Sequence, residues 1–314
     1  MRRTWHLIVL LGLTAALSAC AGRPPLLPEP QTLQHLPPQI LLEDVKFYAQ
    51  DAYQCGPAAL AMMFDDRGIT VTPNQLVDRV YIPERKGTLQ VEMISAARER
   101  DLLVYTLNRN LETVLAELAA GNPVLVMQNL AFNWFPQWHY AVVVGYDLDR
   151  EVMLVHSGLN RAQAEPFKLF MRTWSRANRW ATVMLPPGQL PASAEPLKYL
   201  AAASDLEQTG RLDSARAAYQ AALIEWPEQP AARFGLGNVA WAQNKREQAI
   251  EHFRVLGLEH PTLKAGWHNL SAGLKAMGCN EAAQQASACL NRLNNKQAPD
   301  KSPACKVASC PKIK

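Results

Sequence analysis

The 314-residue chain has no apolar run long enough to remain in a bilayer as a helix. Leu7 to Leu17 is apolar but falls short of the ~20 residues that a spanning helix needs. A G-x-x-x-x-G-K-[ST] run is missing as well, so P-loop ATPase chemistry is excluded. Charge of one sign is scarce: 32 Lys and Arg stand against 28 Asp and Glu. Phosphate tracking needs dense positive charge, so nucleic acid is not the expected partner. Cysteine is sparse too. Its six copies form no C-x-x-C pair and stand near no histidine pattern, so neither a zinc site nor another cofactor is expected.

What is present starts at the N-terminus. Arg2 and Arg3 precede the short apolar stretch, and small residues lead into Cys20. This is the layout of an export signal rather than of a folded element. Leu17-Ser18-Ala19-Cys20 resembles the bacterial lipobox, which implies cleavage before Cys20 and acylation of its thiol. Ala21 follows, where an Asp usually retains such proteins on the inner membrane. The expectation is a lipid-anchored protein of the cell envelope, on the periplasmic face of the outer membrane, meeting the membrane through its acyl chains. Loss of residues 1–19 leaves 30 basic against 28 acidic side chains.

Proline marks the joints. Residues 20–40 hold Pro24, Pro25, Pro28, Pro30, Pro37 and Pro38 and read as an extended tether. Pro186, Pro187, Pro191 and Pro196 mark a linker over 186–196. Residues 41–185 between them should fold alone. There the pattern gives helices first, at 55–66, from Pro73, at 89–100 and at 111–120. Strand-like runs follow at 123–128, 138–146, 151–157 and 181–185. Helices before an antiparallel sheet make an α+β domain.

The chain then turns alanine-rich and periodic. Pro227 and Pro261 lie 34 residues apart; Ala215, Ala249 and Ala283 keep that interval, as do Tyr219 and Phe253. Residues 197–293 resemble tetratricopeptide repeats, whose period is 34. The resemblance implies an all-α domain that binds a protein partner in its groove. Ser287, where an aromatic belongs, marks the third unit as a cap. The tail, 294–314, is basic. In an oxidising compartment Cys279, Cys289, Cys305 and Cys310 suggest disulfides of three possible connectivities. The most local pairing joins Cys279 to Cys289 and Cys305 to Cys310.

Two motifs carry chemistry. In Gln50 to Leu60, Cys55 opens a helix, where unpaired N–H groups and the dipole favour a thiolate. Gly56 would let backbone pass close to a substrate, and Pro57 presets the first turn. A lone cysteine is more often a buried structural residue. His139, opening the strand-like His139 to Asp147, changes that balance by supplying the base a thiol nucleophile needs.

Together, the CGPAAL run at 55–60 and HYAVVVGYD at 139–147 resemble the bacteriocin-processing, double-glycine-leader peptidases. Their lipoprotein relatives with C-terminal tetratricopeptide repeats are closer still. That family is papain-like. The resemblance implies a cysteine peptidase acting on a peptide or protein substrate, with Cys55 and His139 as nucleophile and base. Two positions depart from the pattern. The oxyanion glutamine is expected six residues before the cysteine, where Ala49 stands; Gln50 is the nearest candidate, and Gln54 lies one before. The orienting aspartate is expected where His156 stands, and Ser157 replaces the proline after it.

A hairpin over 138–146 and 151–160 with a two-residue turn at Leu148-Asp149 sets His139 opposite Gly158. His156 and Asn160 are then its diagonal neighbours, and Ser157 faces away. His156, with Asn160 as the alternative, is therefore the expected orienter. The missing carboxylate also supports a rival reading, a catalytically silent pseudopeptidase that serves as an adaptor.

Overall fold

The computed structural model describes residues 33–49, 54–294 and 305–310. Cys20 and Gln50 lie outside the described residues, as do the signal segment and the first part of the tether. Pairing begins at β1 (Gln39–Leu41). Helix α1 (Cys55–Asp65) and α2 (Pro73–Val80) follow. A small hairpin joins β2 (Tyr81–Ile82) to β3 (Gly87–Thr88). Then come α3 (Gln90–Arg98), β4 (Leu103–Thr106), α4 (Leu111–Ala119) and β5 (Val124–Asn129). The long strand β6 (Trp138–Asp147), β7 (Val152–Ser157) and β8 (Asn160–Pro166) run consecutively. Helix α5 (Phe167–Arg176) and β9 (Ala181–Leu185) complete the domain.

The sheet is antiparallel, in the order β4-β9-β5-β6-β7-β8. β1 pairs with the far end of β6, beyond the reach of β5. Alternation along the strands sorts side chains to two buried faces. Leu125, Tyr140, Val142 and Leu154 meet α1, α2 and α3 on one side. Val126, Ala141, Val143 and Val155 meet α4 and α5 on the other. This is the α+β arrangement that the sequence pattern predicts. The strands β4 and β8 and the helix α5 are additions to it.

Six helices follow: α6 (Pro196–Gln208), α7 (Leu212–Glu225), α8 (Pro230–Ala242), α9 (Arg246–Glu259), α10 (Lys264–Ala276) and α11 (Asn280–Asn294). Alternate helices start 34 residues apart, at Pro196, Pro230 and Lys264 and at Leu212, Arg246 and Asn280. Small residues set the close packing. A Cβ on Gly235 would lie 2.3 Å from the Tyr219 ring, and one on Gly237 would lie 2.4 Å from the Phe253 ring.

The segment 186–196 is not the loose spacer its prolines suggest. The buried Glu117 carboxylate accepts from the N–H groups of Ala192 at 3.1 Å and Ser193 at 2.9 Å, and from the Ser193 hydroxyl. Tyr105 donates its hydroxyl to the Ser193 carbonyl and accepts from the Glu195 N–H. The apolar core is continuous across the joint, from Leu103 and Val183 through Tyr199 and Leu206 to Tyr219 and Leu236. The described end of the tether also docks, with Leu33, Leu36 and Ile40 packed on that core.

The disulfides correct the local pairing. Cys279 bonds Cys310, and Cys289 bonds Cys305. Ten residues on and beside a helix separate Cys279 from Cys289, about 15 Å of rise, far outside disulfide reach. Residues 305–310 instead run antiparallel to α11, with Cys289 and Cys310 buried.

Candidate active site

Cys55 is the first residue of α1, and Pro57 lies in that first turn. The helix is buried from Gly56 to Phe64, which fixes its N-terminus against the start of β6. The backbone N–H groups of Tyr140, Gly56 and Cys55 itself lie near the thiol and favour the thiolate. Burial opposes them and prevails, pushing the thiol pKa above its ordinary value. This direction is opposite to the thiolate expected at a helix start.

His139 sits near the start of β6, opposite Gln128 of β5. It lines the same cavity of about 900 Å³ as Cys55. Burial lowers its pKa, because the charged ring would lose water. Both shifts favour the uncharged forms, thiol and neutral imidazole.

The ring's orienting partner is Ser157. His139 Nε2 lies 2.9 Å from Ser157 Oγ. The expected register fails at two points. The turn spans Leu148 to Glu151, with Asp147 paired to Val152, instead of two residues. A bulge between Val143 and Gly145 then shifts the ladder, so that Val142 faces His156. The net slip is one residue, and one residue exchanges the faces of a strand. Ser157 turns to the His139 side and His156 turns away.

His156 is built into the core instead. Its Nδ1 accepts the Ala162 N–H at 3.0 Å, which leaves Nε2 to donate to the Val45 carbonyl at 3.1 Å. Its ring stands edge-on to Phe47. It pins the segment after β1 to the β7–β8 hairpin and does not line the Cys55 cavity. Asn160 is exposed and donates to Gln163. Neither residue orients His139.

The far wall comes from a segment without a sequence signal. A Cβ on Gly56 would fall 2.3 Å from Thr88 Oγ1, so this glycine admits the β2–β3 hairpin of the chain itself. Tyr140 clamps the hairpin by donating its hydroxyl to the Thr88 carbonyl at 3.2 Å. Thr88 Oγ1 is buried there without a hydrogen-bond partner. Gly87, Leu89 and Gln90 continue this wall. Gly145 admits a second close approach: a Cβ there would meet the Ile40 carbonyl oxygen at 2.2 Å. Among the described residues no cluster of His, Cys, Asp and Glu could hold a metal ion.

Residues 42–182 match the model of the Peptidase_C39 like family. Residues 200–257 match a tetratricopeptide repeat model. A solved structure described as a C39-like peptidase from Bacillus anthracis aligns with 47% of this chain and 97% of its own length, at 19% identity and a TM-score of 0.39. No curated protein matches the chain.

Proposed function

With a C39-like peptidase domain followed by tetratricopeptide repeats as the premise, we propose that this chain is a cysteine peptidase of the cell envelope. The observation that carries the proposal is the meeting of Cys55 and His139 on one cavity, with His139 held through Nε2 by Ser157. That bond leaves Nδ1 as the ring nitrogen to take the thiol proton. In the reaction the Cys55 sulfur attacks a peptide carbonyl carbon as its proton moves to His139. The tetrahedral oxyanion is met by the N–H of Cys55 at the helix start, with Gln50 as the side-chain donor. The C–N bond breaks, His139 returns the proton to the leaving amine, and a thioester on Cys55 remains. Water, deprotonated by His139, hydrolyses it.

The lipobox at Cys20 would hold the domain on the periplasmic face of the outer membrane, and the repeats would hold a protein partner or the substrate itself. The test compares envelope proteins of cells carrying the wild-type chain and Cys55→Ala. The proposal expects a defined polypeptide to accumulate uncut in the variant. Identical profiles, together with no cleavage by the purified protein, would refute it.

The adaptor reading has one observation in its favour: among the described residues no carboxylate bonds His139, whose ring bond goes to a serine. A neutral hydroxyl orients the ring but stabilises the imidazolium less than an anion would. The adaptor reading expects Cys55→Ala to be silent in cells, while removal of the repeats abolishes function.

A further inference from the structure

The loop between β5 and β6 breaks the usual rule for exposed aromatics. Trp134 is 81% exposed, Phe135 69%, Phe132 63% and Trp138 53%. Leu159, in the β7–β8 turn at the same end of the sheet, is 75% exposed. A contiguous apolar surface of this kind marks an interaction site.

The loop is built rather than frayed. Asn129 Oδ1 accepts the N–H groups of Ala131 at 3.1 Å and Gln137 at 3.0 Å, and its Nδ2 donates to the Phe132 carbonyl. Arg176 reaches from α5 and donates twice to the Asn129 carbonyl. Phe132 and Trp134 stack at 5.5 Å with planes 10° apart. The result is a preformed flat aromatic face, which loses little conformational entropy on binding.

Its position says what covers it. Pro136, Gln137 and Trp138 belong to the loop and also line the Cys55 cavity, so the aromatic face continues the cleft next to His139. Arg85 of the β2–β3 hairpin also lines the cavity, and among the described lining residues none is acidic. The described lining thus combines an apolar loop with a basic side chain.

We propose that the β5–β6 loop is the specificity element of the cleft, taking a large apolar side chain of an extended peptide whose other flank places an acidic residue against Arg85. This rests on the peptidase reading for its substrate class but not on turnover. A bilayer is the competing occupant for exposed aromatics. Burying this loop in lipid would close the mouth of the cleft beside His139, which disfavours it for an enzyme that cuts a soluble chain.

The test uses the full chain with Cys20→Ser, to remove the acyl anchor, and Cys55→Ala, to remove turnover. Fluorescein-labelled Gly/Ser peptides carry Phe in one half and Asp in the other, in both orders. Controls replace Phe by Ser or Asp by Lys. Anisotropy should show one order bound at least about tenfold more tightly than either control. Trp134→Ser with Phe135→Ser should abolish the preference for Phe, and Arg85→Glu the preference for Asp. Equal affinities for all peptides, or unchanged selectivity in these variants, would overturn the inference. So would quenching of tryptophan emission by anionic vesicles with brominated acyl chains, if the double loop variant removes it. Selective binding supports the inference even where the wild-type protein cuts nothing. That last result would sink the peptidase reading alone.

Discussion

His139 and Ser157 meet across the β6–β7 hairpin, Nε2 to Oγ at 2.9 Å, because a bulge at Val144 moves the ladder by one residue. The position where a related peptidase would carry its orienting aspartate, His156, serves the core instead. The division of labour between these neighbours gives the first prediction. Ser157→Ala removes one neutral hydrogen bond and should lower kcat/KM by about 2- to 10-fold, with the fold intact. His156→Ala should do the reverse. It leaves the Val45 carbonyl and the Ala162 N–H unpaired, which costs about 1–3 kcal/mol of stability. Activity per folded molecule should persist. Asn160→Ala should change neither quantity. Thermal melts and peptide turnover on the three variants check this; a severe kinetic loss confined to His156→Ala would contradict it.

Burial sets the direction of the pH dependence. His139 has to be neutral to accept the thiol proton, and burial lowers its pKa below the usual ~6.5. The acid limb of kcat/KM should therefore fall below that value. His156 and His252 are lowered by burial as well. Each contributes stability that is present above the unfolded-state pKa of ~6.5 and is lost as the pH falls toward the lower folded value. Melting temperature should thus drop on acidification from pH ~7 to ~5. An acid limb above ~6.5 would mean that His139 gains a negative partner in the working enzyme.

The Glu117 carboxylate ties the peptidase domain to the segment leading into the repeats. Glu117→Ala would strand several buried donors and should cost at least about 3 kcal/mol. Because the apolar core crosses the joint, the two parts should melt together in wild type. A fragment ending at Pro187 would expose the core beneath Tyr199 and Leu200 and should aggregate. Two separate calorimetric transitions in the full chain, or a soluble and reactive fragment, would count against this continuity.

Anchoring is tested at Cys20. Cys20→Ala should release the protein from membranes or leave it unprocessed, since acyl chains are the membrane-binding element that the sequence offers. Sedimentation of the variant with outer membranes after a salt wash would remove the lipobox reading.

Much of this was legible in the sequence. Long periodic signals located α1, α4, the major strands and the helix pairs, because burial on one face imposes a period. The positions of Cys55 at a helix start and His139 near a strand start were legible because both are local features. The orienting residue was not. Strand register depends on turn length and on bulges, and a slip of one residue exchanges Ser157 with His156. Gly145 was the available hint, since an isolated glycine in a strand often marks a bulge or a close backbone approach. Both occur there. The β2–β3 wall was hidden because Thr88 reaches Gly56 through tertiary packing that spacing does not encode. Disulfide partners were hidden because they depend on how the tail folds back along α11.

The proposal at the centre is that Cys55 and His139 act as a nucleophile–base pair. Its most direct measurement is intact-protein mass after rapid acid quench of the full chain with a peptide it cleaves. The account predicts a transient adduct, equal in mass to the acyl half of the peptide, on Cys55. The adduct should be absent in Cys55→Ala and form at least about a hundredfold more slowly in His139→Ala. Cleavage that continues in Cys55→Ala, or adduct formation at the wild-type rate in His139→Ala, would contradict it.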